Sequence, residues 1–197
     1  MTNTNLRDFL RSRRSIRRFK ADPVPDSVIQ DLLATATLAP SAHNRQPWRF
    51  AVVKDPASRQ RLGAALTSRM RADMQAEGAP ESEIESRVTR SLRRIDEAPA
   101  LILLCRDVTD VRIDTPEEAI MGTQSVAAAG LQLLLAAHAA GLGANWICWP
   151  LYAQEEAGAA LDLPTKWEPQ GMIVIGYSNE EPKEKSLRSL KDVMEIR

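Results

Sequence analysis

An arginine cluster near the start of the chain has the chemistry of a phosphate site. The cluster is RRSIRRF at residues 13–19, and its candidate ligands are Arg13, Arg14, Ser15 and Arg17. A guanidinium group donates paired hydrogen bonds to phosphate oxygens, and a hydroxyl adds another donor. The alternative is a basic surface in contact with solvent. Ile16 and Phe19 favour the phosphate site, because these apolar side chains can anchor the cluster against a core.

A polar run bracketed by Pro40 and Pro47 precedes the first predicted strand, which begins at Trp48. A turn alone needs one or two hydrogen-bonding side chains. This run has more of them: Ser41, His43, Asn44, Arg45 and Gln46. Loops at the ends of strands often carry binding groups. We therefore expect this loop to contact a ligand.

A third segment, GLGANWICW at residues 141–149, combines glycines with flat apolar side chains. Its glycines let the backbone approach a ligand closely, and a planar ring could lie against Trp146, Ile147 and Cys148. A glycine-ended helix that runs into a strand would look the same. Together the three segments predict a ligand with a phosphate at one end and a planar polar heterocycle at the other, as in flavin mononucleotide (FMN).

Motifs of several other chemistries are absent from the sequence. It contains no GxGxxG after a predicted strand, no GxxxxGK[ST], no HExxH and no GxSxG. Because His43 and His138 are the only histidines, a histidine-rich metal site is excluded. We assign His43 no catalytic role, and we expect His138 to be a packing or interface residue on a helix.

Composition argues against nucleic-acid and membrane partners. The 197 residues include 26 basic and 26 acidic side chains, so the net charge is zero. The longest apolar stretch, residues 126–140, is interrupted by Gln132 and His138, and we predict that it is too short to span a bilayer. Cys105 and Cys148 lack CxxC spacing and have apolar or aromatic neighbours, which predicts buried free thiols and a reducing, cytoplasmic location.

Hydrophobic periodicity predicts an α+β domain in which helices cover a small sheet. The predicted helices are a short one at residues 6–10, a second between Pro25 and Pro40, a long polar region at 58–97 that breaks near Gly78, a central helix at 117–140 and a short helix at 154–161. The predicted strands are 48–54, 100–105, 145–149 and 171–177. We expect a single domain over residues 1–197, with a C-terminal arm at 178–197.

The central helix is rich in small residues and apolar over most of its circumference. Such a helix must be buried on nearly all sides. It could be a core helix of one chain, it could contribute a face to a dimer interface, or both could hold. The polar arm has little core of its own, so we expect it to dock on a partner subunit.

The three segments, in this order, resemble the marks of the FMN-dependent nitroreductase family. Those marks are a basic-basic-Ser start, a Pro-Ser-x-x-Asn-x-Gln-Pro-Trp loop and a Gly-Leu-Gly end to the central helix. The late strand GMIVIGY and the basic tail also fit, so the resemblance covers essentially the whole chain. Within the family, HNRQPW is similar to the flavin domain of deazaflavin-cofactor biosynthesis proteins and to the flavin-cleaving branch.

The resemblance implies a nitroreductase-like fold, with a mostly antiparallel central sheet flanked by helices, in an intertwined homodimer that binds FMN between its chains. It implies contacts to the phosphate and ribityl chain from Arg13, Arg14, Ser15 and, in the tail, Arg188. Arg17 would lie near the pyrimidine edge of the flavin. The other subunit would contribute Pro40, Ser41, Ala42, Asn44 and Gln46, the last either meeting the ring or bracing the loop. The isoalloxazine would pack along Trp146, Ile147 and Cys148, whose backbone N–H would lie near flavin N5.

Three positions depart from the family pattern. Ser189 stands where many relatives have a proline after the tail arginine, which weakens the role of Arg188. Cys148 stands where many have an acidic residue, so substrate specificity has moved if that side chain shapes the pocket. No residue matches the lysine that often approaches the flavin from the helix after the first strand.

The implied activity is ping-pong transfer of a hydride from NAD(P)H, through FMN, to an electron-poor small molecule of nitroaromatic, quinone or enone type. No protein base is needed, and Arg17 is our candidate for stabilising negative charge on the flavin. The alternatives are another flavin reaction on the same fold, a non-catalytic protein that stores or senses flavin, and a basic-armed interaction protein. We expect the residues that cover the substrate side of the flavin to lie within residues 64–98.

Overall fold

An antiparallel sheet forms the centre of the molecule in the computed structural model, which describes residues 3–109, 111, 113 and 115–197. Its strands are β1 (Trp48–Val52), β2 (Ala100–Asp107), β3 (Gly143–Ile147) and β4 (Trp167–Gly176). Their order in the sheet is β1–β2–β4–β3, and every neighbouring pair is antiparallel. The predicted α+β class and the mostly antiparallel sheet are confirmed.

Helices cover both faces of this sheet. They are α1 (Asn3–Ser12), α2 (Asp26–Ala36), α3 (Pro56–Ala76), α4 (Glu81–Asp96), α5 (Pro116–Ala139), α6 (Trp149–Tyr152) and α7 (Gln154–Ala160). The Asp55 side chain caps α3 by accepting a hydrogen bond from the Ser58 backbone N–H at 2.8 Å. The helix that follows β1 then ends at Ala76, and Gly78 adopts a φ of 75° before α4 begins. The break predicted near Gly78 is therefore confirmed.

The inner strands are buried on both faces, because successive side chains of a strand point to opposite sides. In β2, Ile102 and Leu104 pack into a cluster with α2 and α5. Leu101 and Leu103 pack into a second cluster with α3, α6 and α7. The result is three layers, with the sheet in the middle and its two edges available to position a site.

Helix α5 is longer than the apolar stretch seen in the sequence. It has 24 residues, and by length and composition alone it is long and apolar enough to cross a membrane. One face packs on α2 and the sheet, while Ile120 and Leu131 are exposed on the opposite face of the single chain. The central helix predicted at 117–140 is confirmed, and the bilayer prediction, which was argued from residues 126–140 alone, stays a prediction.

Two sequence-based predictions need correction near the end of β3. The strand runs from Gly143 to Ile147 rather than from 145 to 149, and Trp149 is the first residue of α6. Cys148 is consequently exposed rather than buried, because it lies beyond the last residue of the strand. Cys105 is buried within β2 as expected, and burial raises the pKa of its thiol to about 12.

Candidate functional site

The arginine segment, residues 13–20, is attached to the sheet by backbone hydrogen bonds at both of its ends. The N–H of Ile16 donates to the carbonyl of Ala144 in β3 at 3.0 Å. The N–H of Lys20 donates to the carbonyl of Tyr177, just after β4, at 2.9 Å. The arginines are therefore held on a strand-like extension of the sheet edge rather than on a free surface arm.

Gly143 makes this attachment possible. A Cβ atom at Gly143 would lie 2.7 Å from the Cβ of Ile16, which is closer than real side chains approach. Gly141, with a φ of 73°, ends α5 in the left-handed conformation that favours glycine. The close backbone approach predicted for residues 141–149 is thus made at Gly143, and the arginine segment makes it. Neither Gly141 nor Gly143 directly supports the ligand contact that was predicted for the same residues.

A cleft of about 700 Å³, here called the N-terminal cleft, opens beside the arginine segment. Its lining includes Arg13, Arg14, residues 141–144 and residues 178–182. Arg14 is half-buried, and its Nη1 donates to the carbonyls of Arg11 at 2.5 Å and Arg13 at 2.9 Å. The two arginine side chains that we expect to hold a phosphate therefore share one cleft.

Glu180 shows that this segment can bind an oxyanion. Its Oε1 accepts hydrogen bonds from two consecutive backbone N–H groups, those of Arg17 at 2.5 Å and Arg18 at 3.3 Å. Hydrogen bonds to a charged acceptor are about twice as strong as neutral ones. These two backbone donors are occupied by Glu180 within the chain, so the donors left for an outside anion are the guanidinium groups.

Arg94 of α4 joins the same positive region, and the sequence reasoning missed it. Burial, followed by the nearby charges of Arg17, Arg90 and Arg93, lowers the pKa of the Arg94 guanidinium, while Glu180 acts in the opposite sense. Like charges held together and partly desolvated favour the binding of an anion. The spacing of Arg87, Arg90 and Arg94 in a predicted helix was the available signal, because residues three and four apart share one helix face.

The proline-bracketed loop has a strained backbone. His43, Asn44 and Gln46 have φ values of 53°, 52° and 52°, in the left-handed region that non-glycine residues rarely adopt. Residues in such conformations cluster at binding sites and are held by their surroundings. This loop is the part of the site where the backbone departs most from ordinary geometry.

Contacts to α5 hold the loop in place. The N–H of Ala42 donates to the Ser125 hydroxyl at 3.2 Å, and Arg45 forms an ion pair with Glu118. The side chains of Asn44 and Gln46 remain exposed; the Gln46 amide donates to Asn44 Oδ1 at 3.1 Å. The loop is anchored at its base and presents its polar side chains outward.

The structure does not bring the loop and the arginine segment into one cleft within a single chain. Ala42 lines a separate cleft of about 50 Å³ between the loop and α5. None of residues 40–46 lines the N-terminal cleft in the described part of the chain. The loop residues and the arginine segment therefore lie at separate places on the surface.

The third predicted group, at the end of β3, consists of Trp146, Ile147 and Cys148, and their side chains have three different surroundings. The Trp146 ring packs against Gly130 of α5, since a Cβ atom on Gly130 would lie 2.6 Å from Trp146 Cη2. Ile147 is buried on the other face of the sheet, and only Cys148 is exposed. Ile147 can therefore meet a ligand at this edge only through backbone atoms, whereas Trp146 is partly exposed.

Two further predicted residues have clear placements. Arg188 is exposed in the tail and makes no hydrogen bond or ion pair with any residue that the structure describes. His138 Nε2 lies 2.9 Å from Ser12 Oγ, and its ring stacks on Phe9 with centroids 5.0 Å apart. Burial, and then the charge of Arg13, lowers the pKa of His138. The packing role predicted for His138 is confirmed.

Comparison with known proteins gives consistent results over most of the chain. The model of the nitroreductase family matches residues 10–177. A 5,6-dimethylbenzimidazole synthase from Rhodospirillum rubrum is 35% identical over 173 residues, which cover 86% of this chain and 80% of that protein. An NADH dehydrogenase from Thermus thermophilus is 30% identical over 198 residues, covering 86% of this chain and 84% of the relative.

Solved structures agree with the sequence relatives. A protein from Desulfovibrio desulfuricans, solved in complex with FMN, superimposes with a TM-score of 0.74 at 26% sequence identity. The superposition covers 100% of this chain and 98% of that chain. The sheet and its flanking helices thus belong to an architecture that, in this relative, has been observed with FMN.

Proposed function

The chain belongs to the nitroreductase family, and from that premise we propose that it is an FMN-dependent oxidoreductase that passes a hydride from NAD(P)H to an electron-poor small molecule. The observation that carries the proposal is the positive edge of the sheet, where Arg13 and Arg14 line the N-terminal cleft and the charge of Arg17 acts on Arg94. The FMN-bound relative with the same fold supports the choice of cofactor.

The donor set at this edge fits the phosphate of FMN. A phosphate dianion needs several hydrogen-bond donors and compensating positive charge. Arg13 and Arg14 line the N-terminal cleft, and Ser15 is held beside them by its bridge to Ala144. In our proposal these residues hold the phosphate, and Arg188 joins them when the tail docks.

Arg17 and Arg94 fit the pyrimidine edge of the flavin. FMN held here would supply the hydride chemistry of a ping-pong cycle between NAD(P)H and the acceptor. Negative charge on the ring would be stabilised by nearby cations, and Arg94, whose pKa is lowered by burial and then by the charge of Arg17, would gain from an anion placed between the two guanidinium groups. Cys148 supplies a backbone N–H at the same edge.

A homodimer completes the site in this proposal. The loop residues Pro40, Ser41, Ala42, Asn44 and Gln46 are separate from the N-terminal cleft in one chain. A second copy placed against the exposed face of α5 can bring its own loop to the flavin ring. The exposed Ile120 and Leu131 on that face support such a contact, since apolar patches of this kind mark interfaces.

The first experiment is a visible absorption spectrum of the gently purified protein before and after anaerobic NADH and NADPH. We expect flavin bands that bleach with at least one of the two reductants.

Arg13→Gln combined with Arg14→Gln should weaken FMN binding about tenfold or more, because each removes a charge-assisted hydrogen bond. Arg7→Gln in the exposed part of α1 is the matched control. Protein that takes up no added FMN would exclude the proposal, and flavin bands that persist would indicate storage or sensing.

The second candidate is a different flavin reaction, in which the flavin itself is broken down. The 35% identity to a 5,6-dimethylbenzimidazole synthase favours it. The two candidates differ in the fate of the flavin. Incubation with NADPH and oxygen, followed by mass spectrometry, separates them. Intact FMN after many turnovers of NADPH would support the oxidoreductase. Loss of FMN that increases with the amounts of protein and oxygen would support the alternative.

A further inference from the structure

A second large cleft lies between α3, α4 and α6, on the opposite side of the sheet from α5. This cleft, here called the α4 groove, has a volume of about 560 Å³. Arg87, Arg90 and Arg94 of α4 line one wall, and Met70, Trp149 and Tyr152 line the other side. The groove therefore combines cationic and flat apolar surfaces. Its α3 and α4 residues fall within the region 64–98 that we expected to determine substrate choice, whereas Trp149 and Tyr152 lie outside that region.

Two arginines of α4 that line the groove have no ion-pair partner among the described residues. Arg69, also in the groove, is bound by Asp73 at 2.8 Å and by Glu156 at 3.2 Å. Arg87 and Arg90, in contrast, form no ion pair or hydrogen bond with any described residue and are exposed. Neighbouring arginines on the surface usually attract carboxylates of the same protein, so these two are free to bind an anion from outside.

The three arginines of α4 form a straight row. Spacings of three and four residues place them on one helix face. At a rise of 1.5 Å per residue, the row extends about 10 Å from Arg94 to Arg87. Its inner end is Arg94, which is half-buried and close to Arg17, and its outer end is in solvent.

The apolar wall selects for a flat ligand. Tyr152 is 66% exposed, and Trp149 and Met70 are half-buried beside it. Aromatic rings and methionine sulfur pack well on a conjugated ring. A guanidinium group can both stack on such a ring and pair with a carboxylate.

We propose that the α4 groove binds the electron acceptor, and that this acceptor is a conjugated molecule carrying at least one oxyanion, which Arg87 and Arg90 hold. The inference rests on the proposed function, because it takes the flavin to lie near Arg17 and Cys148, at the inner end of the groove. Trp149 follows Cys148 directly, so the groove begins where the flavin ring is expected. The acceptor's reducible end then lies at Arg94 and its charged end lies further along α4.

The test compares two substrates that differ only in charge, 4-nitrocinnamate and 4-nitrocinnamamide. Steady-state kinetics are measured for the unaltered protein and for Arg87→Gln and Arg90→Gln, and calorimetry measures binding of both compounds to the oxidised protein. Each substitution should lower kcat/KM and affinity for 4-nitrocinnamate about tenfold, since a hydrogen bond to a charged group is lost. Values for the amide should stay within about twofold. Arg71→Gln on α3, where the arginine pairs with Glu81 and Glu85, is the matched control.

Several outcomes would overturn the inference. Equal losses for the acid and the amide would show that the arginines only shape the groove. A loss confined to flavin reduction by NADPH, with NADH unaffected, would assign the row to the phosphate of that reductant. Calorimetry keeps the inference separate from the proposed function, because it detects binding of the acid even in a protein that NAD(P)H fails to reduce. Thermal melts establish that each variant is folded.

Discussion

The two free thiols differ in the surroundings of their sulfur atoms. Cys105 lies inside β2 with no solvent exposure, and burial raises its pKa to about 12. Cys148 is exposed at the start of α6, next to the proposed flavin edge. Because the thiolate is the reactive form, exposure and pKa together decide which thiol reacts.

Alkylation at pH 8 should therefore modify only Cys148. We expect iodoacetamide to add one group to flavin-free folded protein, located at Cys148 by peptide mass spectrometry, and a second group at Cys105 only in guanidinium chloride. Saturating FMN should slow the reaction of Cys148 several-fold, because the proposed ring position covers this residue. Unchanged rates with bound FMN would place the ring elsewhere.

At the residue scale, the sequence predicted which arginines share the N-terminal cleft better than it predicted which residues from other helices lie near them. Arg13 and Arg14 share a cleft as expected, since adjacent residues on a held segment cannot separate far. Arg94 was missed because its proximity to Arg17 depends on how α4 packs, which no local pattern reveals. The partner-derived contacts and the role of Arg188 stay predictions.

At the element scale, the contact between α5 and β3 depends on one small residue. Gly130 is buried in the middle of α5, and the Trp146 ring occupies the space where its side chain would be. Leu104 Cδ1 would also lie 2.9 Å from an added Cβ atom. Close packing of this kind leaves no room for even a methyl group.

Gly130→Ala should consequently destabilise the protein by about 3 kcal/mol, because overpacking a core forces side chains and backbone to move. Gly158→Ala is the control, since a Cβ atom on Gly158 in α7 would meet no atom within 4 Å. Alanine is favoured over glycine inside a helix, so the control should gain about 0.5 to 1 kcal/mol. Urea unfolding followed by circular dichroism measures both changes. Equal stability of the two variants would mean that the helix and strand are less tightly packed than described.

The elements themselves were largely readable from the sequence. Apolar runs predicted β1, β2 and β4, and glycine predicted the break between α3 and α4. The predicted bounds of β3 were wrong because Trp149, an aromatic residue, is typical of a strand. Pro150, which follows it, lies instead in the first turn of a helix. The proline was the signal in the sequence that marked this boundary.

At the scale of the whole molecule, α5 leaves one face unpartnered. Ile120, Gln124, Ala127 and Leu131 are all exposed, and their spacing places them along a single stripe. A second copy of this chain is our proposed partner for the stripe. The sequence allowed both a core and an interface role for this helix, and the packed and exposed faces are compatible with both.

Replacing Ile120 and Leu131 together by Glu should convert the proposed dimer into a monomer of 21.8 kDa. Buried like charges across an interface oppose association. FMN affinity should fall at the same time, because the partner's loop is lost from the site. Light scattering after gel filtration measures mass, and fluorescence titration measures FMN binding. Ala72→Glu with Gln75→Glu, both exposed on α3, is the control. A monomeric unaltered protein that binds FMN tightly would exclude the shared site.

The attachment of the arginine segment has a consequence for the order in which the molecule folds. Ile16 pairs with Ala144 and Lys20 with Tyr177, so residues near the start of the chain need partners that are synthesised near its end. Closing such long loops is entropically costly and comes late in folding. During translation the positive edge stays unassembled until β3 and β4 have emerged from the ribosome. The nascent chain therefore acquires the proposed anion site as one of its last structural features, and uptake of the proposed cofactor would report that the sheet is complete.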